Sequence, residues 1–159
     1  MTTKSAFTED EWSRIVRAPM VAGLAISVAD PGGPIEAAKE SMATIRSTIN
    51  PPSREQLLTE VALEVQAMTQ QRNNPLKGYK PTTERSPGDQ VIEELHAVQE
   101  IVAAKATADE AAAFGGWLVA AAQAAAEAAK EGGFMGFGAQ QVSEGEQAML
   151  DQLREAVSE

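Results

Sequence analysis

Apolar residues recur along this chain at intervals of three and four. Leu57, Leu58, Val61, Val65 and Met68 share one helical face; so do Val91, Leu95, Val98 and Val102, with Ile92 beside them. Met149, Leu150, Leu153 and Val157 form a last stripe. No segment alternates with a period of two, so the pattern predicts helices and no sheet.

Helix starts are marked in front of these segments. A Ser or Thr followed three residues later by Glu or Gln satisfies two orphan backbone N–H groups reciprocally. The pattern occurs as Thr8–Glu9–Asp10–Glu11, Ser53–Arg54–Glu55–Gln56, Thr107–Ala108–Asp109–Glu110 and Ser143–Glu144–Gly145–Glu146. Phe7 and Trp12 occupy the two positions of a hydrophobic staple around the first of them. Ser86–Pro87–Gly88–Asp89 adds a fifth start, with Pro87 where its missing N–H costs nothing.

Prolines and glycines predict where helices stop. The first helix is expected to break or kink at Pro19, which then starts the apolar segment up to Ala29. Asp30–Pro31–Gly32–Gly33 makes a turn, Pro34 opens a helix to about Thr48, and Asn50–Pro51–Pro52 ends it. The stretch near 73–87 reads as an irregular surface loop. The Ala-rich run Ala113–Ala129 is expected at the centre, with Gly115–Gly116 letting another helix come near. The expectation is therefore all-α: a single compact domain over 1–159, a bundle of about six or seven helices.

The two halves echo each other. TEDEW leads through an apolar helix to Asp30 and a Gly-Gly pair; TADEA leads through another to Glu131 and a second pair. A duplicated unit would show this, and so would two unrelated helix hairpins.

Composition narrows the function. A net charge of −10 opposes a nucleic-acid partner, because phosphate contacts need clustered Lys and Arg. With no cysteine there is no thiol nucleophile, thiolate zinc site or disulfide. No signal peptide is legible, Pro19–Ala29 is too short to span a bilayer, and the alanine run carries Gln123 and Glu127. Cytoplasmic placement and no membrane insertion are expected. His96 stands alone beside an apolar stripe, and no Ser-His-Asp or paired-carboxylate constellation is recognisable, so no enzyme is expected. Tyr79 and Lys80 have no motif around them.

The chemistry of Glu131–Gly138, EGGFMGFG, is the most unusual in the chain. Between Glu131 and Glu144 there is no carboxylate, against the six to eight oxygen ligands that calcium takes. The loop also lacks the spacing of a phosphate-binding fingerprint. It reads as a helix stop at Gly132 followed by an apolar plug of Phe134, Met135 and Phe137. Exposed, the same residues would make an interaction patch.

The segment AAAEAAKEGGFMGFGAQQVSEGEQAMLDQL resembles TerB-like (tellurite-resistance-associated) domains, which are all-α bundles with an acid–Gly turn after an Ala-rich helix and a glutamate opening the next. The resemblance covers the C-terminal third, with a weaker echo at Asp30. It implies a non-enzymatic binding or scaffolding module holding a divalent cation at acidic turns, with Glu131, Glu144, Glu146 and Asp30 as metal candidates. Here a glutamate replaces the family's usual aspartate, and the turn is longer and more apolar. The alternative is a protein-interaction or self-associating subunit that uses the Phe134–Phe137 loop and small-residue helix faces, without metal.

Overall fold

The computed structural model describes residues 2–30, 33–130 and 142–158. After a short 3₁₀ turn at Lys4–Ala6, six α-helices follow among the described residues: α1 (Glu9–Ala29), α2 (Pro34–Ile49), α3 (Gln56–Gln70), α4 (Pro87–Lys105), α5 (Ala108–Lys130) and α6 (Glu144–Val157). They pack as a compact all-α bundle, and no strand occurs among the described residues.

Four of the five expected starts form. Thr8 and Ser143 make complete capping boxes with Glu11 and Glu146. Thr107 and Glu110 exchange the same two bonds, at 3.1 and 3.4 Å. Ser86 caps α4 with Pro87 at its first position. The start read at Ser53 is a correction: α3 begins at Gln56, and its N-cap position falls on Glu55, two residues beyond Ser53, with no side-chain capping bond. Burial of Leu57 and Leu58 fixes where this helix begins, and Ser53 is left in the preceding bend.

The expected break at Pro19 is also corrected. A single helix runs from Glu9 to Ala29 with Pro19 inside it. A proline in a helix interior forfeits a backbone hydrogen bond and costs about 3 kcal/mol. Here the face it shares is buried through Ala18, Met20, Val21, Ala22, Ala25 and Ile26, and that packing outweighs the lost bond.

α5 is central, as its alanines suggested, and α1 shares the position: each packs against all five other helices. The core of α5 is Phe114, Trp117 and Leu118 followed by Ala121, Ala122, Ala125 and Ala126, all buried. Trp117 also donates from its indole to the carbonyl of Ser47 at 3.2 Å, tying α5 to α2. The two echoing helices are thus the two at the centre.

Thr2 adds a long-range tie. Its backbone N–H and its hydroxyl both donate to the buried carboxylate of Glu110, at 3.0 and 2.8 Å, across 108 positions. Glu110 consequently serves two helix-start functions at once: it closes the box with Thr107 and holds the first residues against α5.

Candidate functional site

The acidic positions singled out in the sequence are partly gathered. Asp30 ends α1, and Glu146 is fully buried at the start of α6. The two ends meet closely: a Cβ on Gly145 would stand 3.0 Å from the carbonyl oxygen of Ala29. Glu40 of α2, also buried, lies within the field of both. Burial raises its carboxyl above the ordinary range; the Ser27 hydroxyl bond acts the other way, and the charges of Glu146, Glu36 and Asp30 add to the rise. Glu144 is exposed. Among the described residues no three Asp, Glu, His or Cys side chains are placed to hold a metal ion. Glu131, Phe134, Met135 and Phe137 lie outside the described residues.

His96 sits between α4 and α6, with Nδ1 2.9 Å from the carbonyl oxygen of Ala156 and Nε2 3.1 Å from the Glu100 carboxylate. It is half-buried at the bundle's edge and joins two helices there.

A groove of about 730 Å³ is bounded by α4, α5 and the end of α6. Ala108, Ala112 and Gly116 run down one face of α5 at four-residue spacing, and all three are exposed. Ala103, Val119 and Val157 complete an apolar wall, and Arg154 supplies its one charged side chain. The two glycines divide their work. A Cβ on Gly115 would press within 2.8 Å of the Val157 carbonyl oxygen, so this glycine lets α6 close on α5. A Cβ on Gly116 would meet nothing within 4 Å, so this glycine faces the open groove.

A buried amide interrupts the apolar wall. Gln99 is 3% exposed and donates from Nε2 to the carbonyl of Ala111 at 2.9 Å. Its Oε1 is buried without a hydrogen-bond partner. An orphaned buried acceptor costs roughly 1–3 kcal/mol.

Sequence reasoning placed Gly115–Gly116 at a close helix approach but did not single out Gln99. The signal was present: Leu95, Gln99 and Val102 follow one another at spacings of four and three, so a polar amide stands in an apolar stripe.

No family model, curated protein or solved structure matches the chain.

Proposed function

We propose a non-enzymatic, cytoplasmic binding module of TerB-like type that receives an amphipathic helix of another protein in the α4–α5–α6 groove. The observation that carries this reading is the exposed Ala108–Ala112–Gly116 ridge beside the unpartnered Oε1 of Gln99. A floor without bulky side chains admits a second helix at close range, so that large apolar residues of that helix fill the groove. A hydroxyl or amide donor on the same helix would complete Gln99. The chain's charge of −10 favours basic residues flanking the helix's apolar face. The all-α bundle is compatible with the TerB-like part of the reading. The acidic junction of Asp30, Glu40 and Glu146 carries none of it.

Calorimetric titration with a synthetic amphipathic helix of Leu, Ala, Ser and Lys tests the proposal, with a scrambled peptide of the same composition as control. Binding of the patterned peptide is expected, weakened at least tenfold by Gly116→Leu, which fills the groove from a position with free space. Equal binding by wild type and Gly116→Leu, or binding by neither, overturns it.

A further inference from the structure

A second concave site, remote in chemistry from the first, lies between α1, the connection from α3 to α4, and the first turns of α4. It has a volume of about 430 Å³ and is lined by Arg14, Arg17, Tyr79, Lys80, Arg85, Glu93 and Glu94 among others. Four cations against two carboxylates leave this pocket positive, in a chain whose net charge is −10. Five of the 13 Lys and Arg residues (Arg14, Arg17, Lys77, Lys80, Arg85) belong to it or to its adjoining loop.

The guanidinium groups are held in place individually. Arg14 makes a two-pronged pair with Glu94, at 2.8 and 3.2 Å. Arg85 is forked in the same way onto Glu93. Arg17 donates to the carbonyl of Lys77 at 3.3 Å and lies over Gly78, whose φ of 95° is left-handed. A Cβ at Gly78 would collide with the Arg17 guanidinium, so the loop is built to admit it. Each of these pairs leaves further N–H donors on the arginine, which carries five. Lys80 adds an exposed ammonium from the loop.

Tyr79 gives an independent indication. It lines the same pocket, and its hydroxyl is buried with no hydrogen-bond partner. Burial and the neighbouring Glu94 charge raise its pKa, so the hydroxyl is a neutral donor across physiological pH.

The geometry points to this pocket as a binding site for the phosphoryl group of a small phosphorylated molecule, gripped by Arg14, Arg17, Lys80 and Arg85 with the Tyr79 hydroxyl as an added donor. Donors converging from α1 and from the connection between α3 and α4 suit a tetrahedral dianion, and guanidinium forks match its oxygens. The rest of the acidic surface repels an extended polyanion, which restricts the ligand to a small one.

Inorganic pyrophosphate is the probe, followed by calorimetry and by phosphorus NMR line broadening at low salt. Saturable one-to-one binding is expected, weakened at least tenfold by Lys80→Ala, whose exposed side chain leaves the fold untouched, and by Arg17→Ala. Arg154→Ala in the other groove should leave it unchanged. Tyr79→Phe should weaken binding a few-fold while raising the melting temperature of the free protein, because it deletes an unpartnered buried hydroxyl. Absence of saturable binding overturns the proposal, as does wild-type affinity in Lys80→Ala and Arg17→Ala. Equal affinity for sulfate at matched ionic strength overturns its phosphoryl assignment.

Discussion

Gly115 and Val157 bring two helices into backbone contact: a Cβ on the glycine would stand 2.8 Å from the carbonyl oxygen of the valine. Gly116, the next residue, has free space around the same position. The two glycines therefore respond oppositely to one methyl group. Gly116→Ala should stabilise the protein by about 0.5–1 kcal/mol, since alanine loses less backbone entropy in a helix. Gly115→Ala should destabilise it by about 1–3 kcal/mol, because the end of α6 must move away. Urea unfolding of the two variants checks the pair, and changes of the same sign would contradict the assignment of one glycine to packing and the other to the groove.

Two serines with the same local pattern should behave differently. Ser143→Ala removes a working capping box and should cost about 1 kcal/mol. Ser53 caps nothing, and its hydroxyl is buried without a partner, so Ser53→Ala should be neutral or slightly stabilising. Thermal unfolding of both is sufficient to decide. A comparable loss in the two would restore Ser53 as a helix cap.

The buried glutamates predict opposite pH responses. Burial works against the charge of Glu110, but bonds from Thr2 and Thr107 outweigh it and hold its carboxyl below the ordinary value of 4.5. Its stabilisation is present above that value and lost as pH falls through the lower folded pKa. Burial, aided by Glu146, Glu36 and Asp30, pushes Glu40 above 4.5 despite the Ser27 bond. Ionised Glu40 therefore opposes folding at neutral pH, and the penalty fades as pH falls through its raised folded pKa towards 4.5. At pH 7, Glu110→Gln should destabilise and Glu40→Gln should stabilise, with both differences shrinking in acid. Denaturant titrations between pH 3 and 7 test this; a stabilising Glu110→Gln at neutral pH would refute the tethering role of Thr2.

Gln99 should separate stability from binding. Gln99→Met removes an orphaned acceptor and keeps the volume, so the free protein should lose little stability or gain some, within about 1 kcal/mol. The same change should weaken capture of the patterned helix, since its hydroxyl donor loses its acceptor. A large stability loss with unchanged helix affinity would make Gln99 a structural residue of the α4–α5 contact.

Much of the fold was legible because it is written locally. The stripes Leu57–Val65, Val91–Val102 and Met149–Val157 need no knowledge of partners, and the boxes at Thr8, Thr107 and Ser143 close within four residues. Where tertiary packing decides, local reading failed: the buried neighbours of Pro19 carry α1 through a residue that should break it, and burial of Leu57 and Leu58 overrides the pattern at Ser53. The sites were less legible still. The groove is made by faces of three helices, and Gln99 gains meaning when Gly115 and Val157 close around it. Arg14 and Arg17 are more than fifty residues from Tyr79 and Lys80 along the chain, so their meeting has no signature in sequence.

The central claim is that the α4–α5–α6 groove receives a helix, and amide-resolved NMR tests it most directly. On titrating the isotope-labelled protein with the Leu, Ala, Ser and Lys helix, shifts should concentrate at Ala103, Ala108, Ala112, Gly115, Gly116, Val119 and Val157. The Gln99 side-chain amide should move with them, and Gly116→Leu should abolish the whole set. Shifts spread over α2 and α3, or shifts at the groove that persist in Gly116→Leu, would contradict it.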